Sequence, residues 1–275
     1  MEPRKPIFEV YKSDLLSDTD NLHHFVNRSH MFQTDYGSTS LNGLINDLFV
    51  YWPGRKTAFT QEEFLTNIGI SNDSLARLPF NNDTLALNYI EFIKNICEWI
   101  NAGNRMARPK DNAENHHNFQ QMFTNIDEII KSAGYRFEFI NNQFVIIINN
   151  QELTDVLEFS DDPDALKTLL IQYARFNNSK EEDKEKLLAA MNKYLERYNN
   201  SKFKPVRDLA DDVSFILNRM AIRHKEDTDL QMSDVERNKW CDRCFDIIVH
   251  MINAERIQTY DEELQLIKTS VKKAK

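Results

Sequence analysis

Residues Pro205–His224 read PVRDLADDVSFILNRMAIRH, and this stretch decides how the C-terminal half is understood. Val206, Leu209, Val213, Ile216, Leu217 and Met220 recur at helical spacing and predict one buried face. Phe215 and Ile222 fall on roughly the opposite side, counting about 100° per residue. Two apolar stripes on one helix predict cover on both sides, the second stripe facing a neighbouring helix or, preferably, a second subunit. Asn218, Arg219, Arg223 and His224 crowd the end of the same helix. Arg219 and Arg223 are four apart and stack along one flank. Cations at a helix C-terminus are also favoured by the helix dipole, which gives Arg223 and His224 an ordinary structural role beside any chemical one.

The pattern around this helix is consistent with it. All six glycines lie at or before Gly134, and only Pro163 and Pro205 interrupt the C-terminal half. A long glycine-free stretch rich in Leu, Ala, Glu, Lys and Asp predicts helices joined by short polar turns. The expected helices cover about residues 163–176, 180–198, 205–224, 232–254 and 259–272. Pro163 comes after Asp162 as a proline at the first helical position would. SKEEDKEK places acids in a first turn, and Ser233 with Glu236 forms a capping box.

Towards the N-terminus the signals are more mixed. The first 35 or so residues show little periodicity and read as an arm. Ser40–Trp52 has helical spacing that Pro53-Gly54 ends, and Thr60 with Glu63 marks another helix start. Leu85, Leu87, Ile90, Ile93, Ile96 and Ile100 predict a long helix over Thr84–Ile100. After a polar loop from Asn101 to Asn115, Phe119, Met122, Phe123, Ile126, Ile129 and Ile130 predict another. Gly134 ends it, and YRFEFINNQFVIII reads as a hairpin turning at Asn141-Asn142. The expected class is mainly α. A mostly helical N-terminal domain, 1–150, ends in a small β-hairpin near 135–149, and an all-helical bundle, 151–275, succeeds it.

Composition narrows the function. With 275 residues, 41% hydrophobic and 28% charged, the chain can bury a real core. A net charge of −9 argues against a protein that coats nucleic acid. Local contact with RNA through a few cations remains open. The three cysteines, Cys97, Cys241 and Cys244, are too few for a disulfide framework and fit a reducing cytosol. MEPRKPIFEVYK lacks the apolar stretch of a signal peptide, and no run approaches a membrane span. A cytoplasmic protein without membrane contact is expected.

Several motifs read as ordinary structure. Cys241 and Cys244 form a single C-x2-C inside a helix, with neither a second pair nor a strand before it, so core thiols are expected. The adjacent pairs His23-His24 and His116-His117 lack the i, i+4 spacing of a helical metal site. Ser160–Asp164, SDDPD, sits at a helix start where acids are favoured anyway. No phosphate loop, dinucleotide turn or serine elbow occurs. Neither metal nor cofactor is expected.

What remains is the helix end. A His moves protons near neutral pH, and an Arg holds a phosphate and its added charge. Arg219 and His224 have the Arg-x4-His spacing that suits this division of labour. Lys202, Lys204 and Arg207 are the nearest candidates for RNA-backbone contact, and equally an ordinary solvated turn.

DDVSFILNRMAIRHKE, preceded by KEKLLAAMNKYLERYNNSKF and followed by MSDVERNKWCDRCFDIIV, resembles the C-terminal region of bacterial abortive-infection-like proteins. That region is similar to HEPN domains, which are all-helical and commonly dimerise. The resemblance covers roughly residues 165–270. It implies an RNase that needs no metal and uses the ribose 2′-hydroxyl as nucleophile, its site completed across a homodimer. His224 would be the general acid or base and Arg219 the phosphate-holding residue. HEPN enzymes more often have a polar residue just after the Arg, where this chain has Met220. Asn218 with Arg223-His224 matches the abortive-infection relatives, which makes Arg223 the alternative arginine. The implied role is an antiphage effector, restrained by the N-terminal domain until a regulatory protein or phage trigger releases it. The alternative is a non-catalytic dimeric interaction or regulatory protein of a defence or toxin–antitoxin system.

Overall fold

A computed structural model of the chain describes residues 14–28, 31–70, 80–102, 113–175, 181–219 and 233–273. The protein is mainly helical and divides into two units, Met1–Ile148 and Asn149–Lys275. Among the described residues the only sheets are two antiparallel two-stranded hairpins, both in the first unit.

The first unit is built around a helix buried nearly all round. In order come α1 (Leu15–Asn27), β1 (Phe32–Thr34), β2 (Gly37–Thr39), α2 (Leu41–Leu48), α3 (Gln61–Asn67), α4 (Asp83–Asn101), α5 (Ala113–Ser132), β3 (Tyr135–Ile140) and β4 (Gln143–Ile148). Helix α4 buries Leu87, Ile90, Ile93, Ile96 and Ile100, and also Tyr89, Phe92 and Cys97. A helix apolar on every side belongs in the interior. Its start is fixed by Asn82, whose side chain accepts from Thr84 N at 2.8 Å and Leu85 N at 3.3 Å. Thr60 caps α3 by accepting from Glu63 N at 3.1 Å, and Glu63 reaches back to the Phe59 N–H at 2.8 Å.

The β3–β4 hairpin turns at Asn141 and Asn142, both at positive φ (51° and 60°), the conformation a two-residue turn requires. A lone hairpin is marginal in water, and α4 supplies the missing support. Asn95 Nδ2 donates to Phe144 O at 2.7 Å, and Asn95 Oδ1 accepts from Phe144 N at 2.7 Å. Glu91 accepts from Ile146 N at 2.8 Å. Alternate residues of an antiparallel strand turn their backbone groups away from the partner strand, so these side chains close the free edge of β4. Helix α5 does the same for β1: Asn115 exchanges two bonds of 2.9 Å with Gln33 N and O.

The N-terminal segment departs from the arm expected. Residues 15–27 form α1, with Thr19, Leu22 and Val26 buried. Thr19 hides the periodicity, because its hydroxyl donates to Leu15 O at 2.6 Å and a polar residue thereby occupies a core position.

The second unit contains α6 (Gln151–Phe159), α7 (Asp164–Ala174), α8 (Glu181–Leu195), α9 (Lys204–Arg219) and α10 (Asp234–Lys273). It differs from the expected set of helices in two respects. Helix α6 is additional; Asn150 caps it by accepting from Leu153 N at 3.1 Å. The two helices expected after residue 232 are one helix of 40 residues, since the Glu255–Gln258 step contains neither Gly nor Pro to break it. Pro163 also sits one position earlier than predicted, as the N-cap of α7, with Leu166 N donating to its carbonyl at 2.8 Å.

The first half of α10 forms the core of this unit. Cys241, Cys244, Phe245, Ile248, Val249, Met251 and Ile252 are buried, with α6, α8 and α9 against the helix. Tyr173 of α7 stacks on Phe245 at 4.3 Å. Lys184 of α8 and the Tyr173 hydroxyl both donate to Asp242, at 2.6 and 3.1 Å.

Candidate functional site

Helix α9 carries Asn218 and Arg219 of the motif. Val206, Ala210, Val213 and Leu217 are buried, and Leu209 and Ile216 flank them on the same face. Phe215, on the other side, is 60% exposed. Asn218 is exposed, and Arg219 is the last described residue of the helix. Met220, Ile222, Arg223 and His224 lie outside the described residues, so Asn218 is the one motif side chain whose setting the structure describes.

The three basic residues assigned to RNA contact sit around the opposite end of α9. Lys204 is exposed at its first position. Lys202 is ion-paired with Glu262 of α10, and its ammonium lies 4.9 Å from the Phe203 ring. Arg207 donates to Ser201 O at 2.5 Å, while the Ser201 hydroxyl donates to Glu255 of α10 at 2.6 Å. Lys202 and Arg207 therefore tie the turn before α9 to the body of their own unit. At about 1.5 Å per residue, Lys204 and Asn218 stand about 21 Å apart along α9. Within one chain the helix keeps Lys204 and Asn218 apart.

Cys241 and Cys244 are buried, and burial pushes the Cys244 thiol up to about 12, far from the thiolate that binds metal or attacks disulfides. Of the SDDPD acids, Asp162 is buried and accepts from the Tyr198 hydroxyl at 3.1 and 3.0 Å and from Arg197 at 2.5 Å. Burial, then Asp162, raises the Tyr198 hydroxyl pKa, so it stays a donor. His23 Nδ1 lies 3.0 Å from the Tyr89 hydroxyl, and His116 and His117 are exposed on α5. Among the described residues no group of three or more His, Cys, Asp or Glu is placed to hold a metal ion. No described helix is long and apolar enough to cross a membrane.

One surface is absent from the sequence-based expectations. Beyond Arg256, every described side chain of α10 to Thr269 is exposed, and Ile257, Tyr260, Leu264 and Ile267 lie among them. Their steps of three, four and three residues are the signal that the sequence offers.

No protein-family model, curated protein or solved structure matches the chain.

Proposed function

We propose that the C-terminal unit is a HEPN-like, dimerising, metal-independent RNA endonuclease, and that the chain acts in the cytoplasm as an abortive-infection-type defence effector. The observation that carries this reading is the placement of Asn218. It stands in solvent near the end of the described part of a helix whose other face is packed, directly ahead of Arg219 and within six residues of His224. His224 is joined to Asn218 by six residues of chain, a reach of at most about 20 Å.

In the proposed reaction the 2′-hydroxyl oxygen attacks the adjacent phosphorus while His224 of one copy takes its proton. The bond from phosphorus to the 5′-oxygen breaks, and the partner's His224 returns a proton to that oxygen. Products are a 2′,3′-cyclic phosphate and a free 5′-hydroxyl. Arg219 or Arg223 holds the phosphate as its negative charge grows. The N-terminal unit serves as restraint and sensor for a phage-derived or regulatory-protein signal.

A second reading has its own support. Lys202 and Arg207 are engaged by Glu262 and Ser201 O, which suits a non-catalytic interaction module. Cleavage of total RNA and of tRNA by the full chain in EDTA separates the two. The nuclease reading expects cyclic-phosphate ends from the wild type and none from His224→Ala. Absence of cutting by wild-type protein that is folded and dimeric favours the interaction module.

A further inference from the structure

We propose that the C-terminal part of α10 is a self-pairing helix, and that two copies of this chain associate in parallel through Ile257, Tyr260, Leu264 and Ile267. The pairing uses a surface other than the motif helix and stands whether or not the unit cleaves RNA.

The first argument is period. The four residues are 46%, 49%, 46% and 61% exposed and succeed one another by three, four and three residues. That is the 3.5-residue repeat of a two-stranded helical seam. Val271 continues the series in sequence.

The second argument is direction. At about 100° per residue, the buried set of α10, Cys241, Cys244, Ile248 and Ile252, shares a side with Glu255 and Glu262. Those two acids are the ones held by Ser201 and Lys202 of the same unit. The exposed stripe lies well round the helix from those two acids; Val249 and Asn253, which share its side earlier in the helix, are buried, so the stripe is uncovered where α10 runs on past the packed part of its unit. Helix α6 covers the near end only: Arg256 is held by Asp155 at 3.5 Å and lies 5.6 Å from the rings of both Phe159 and Tyr260. Phe159 is the last residue of α6, and the stripe runs on past it.

The third argument is charge, and it selects the occupant. Glu263 and Lys268, both exposed, flank the stripe five residues apart. In a parallel pair this is the spacing at which one helix's acid meets the other's base, so Glu263 faces the partner's Lys268 on both sides of the seam. Asp261, Glu262 and Glu263 cluster between Tyr260 and Leu264 of the stripe, where an anionic lipid surface would favour Lys and Arg. An exposed helix of this length is also marginal by itself and is stabilised by covering its apolar face.

The test is sedimentation equilibrium of the full chain over a concentration series. Wild type is expected to be dimeric. Leu264→Glu is expected to raise the dissociation constant by roughly thirtyfold or more, the scale of a central interface residue. Leu266→Glu, an equal change off the stripe, is expected to leave the dimer intact, and unchanged circular dichroism and Tm confirm that each variant is folded. Lys268→Glu is expected to weaken pairing and Glu263→Lys combined with Lys268→Glu to restore it. A monomeric wild type, a dimer indifferent to Leu264→Glu, or a double reversal that does not restore pairing overturns the proposal. So does a monomer that instead sediments with anionic vesicles. His224→Ala leaves this dimer unchanged, so loss of cleavage and loss of pairing are read separately.

Discussion

Asn95 holds both backbone groups of Phe144, donating to its carbonyl and accepting from its N–H at 2.7 Å each. One helix side chain thus stands in for a neighbouring strand. Asn95→Ala leaves two backbone groups of a part-buried strand without partners and is expected to cost about 2–4 kcal/mol. Asn95→Asp keeps the acceptor but loses the donor, and should fall between the two. Urea unfolding with an unchanged m-value checks this. A loss no larger than that of a surface substitution would show that the edge is satisfied by water instead.

His23 gives the first unit a pH dependence of known sign. Burial, with His24 beside it, holds the imidazole below its ordinary 6.5, and Asp20 opposes this less strongly. The unfolded chain therefore takes up the proton first as the pH falls. Stability is full above about pH 6.5 and declines below it, until the folded imidazole itself titrates. His23→Asn should flatten this slope in urea midpoints measured between about pH 7 and 5. An identical slope in the variant would sink the assignment.

Thiol chemistry should be silent in the folded protein. Cys97, Cys241 and Cys244 are all buried, and burial raises the Cys97 and Cys244 pKa values well above neutrality. A disulfide reagent at about pH 8 is expected to label none of them quickly in buffer and all three in urea. Fast labelling of one thiol under native conditions would contradict this packing.

Among the described residues of the second unit, Asp162 is the buried acid, joining Tyr198 and Arg197 ahead of α7. Asp162→Ala is expected to cost about 1–3 kcal/mol, chiefly through the buried Tyr198 hydroxyl, because half-exposed Arg197 finds water instead. Tyr198→Phe should cost less, and the two losses should not add, since both break the same contact. A double-mutant cycle measures the coupling.

The fold class was legible because its signals are local. The α4 spacing, the Thr60–Glu63 box and the Asn141-Asn142 turn each lie within a few residues of what they determine. The features that stayed hidden are of two kinds. Helix α1 disguises a core position as Thr19. Helix α6 buries only Leu153 and Val156 among acids and amides, and strands β1 and β2 are three residues long, too short for a period to show. The candidate site was hidden for another reason. Lys202 and Glu262 are 60 residues apart, and no local pattern announces that a cation proposed for RNA already has an acid. Asn218 could be placed at the end of a helix from spacing, but its exposure depends on what α10 covers.

Helix α10 presents one apolar set inward and a second outward without a break between them. The angle separating the two is set by the number of residues from Ile252 to Ile257. Adding or removing a single residue in that interval would leave the packed side chains before it in place. It would also swing the outer set by about 100°. The chain is thus intolerant of a change in length there.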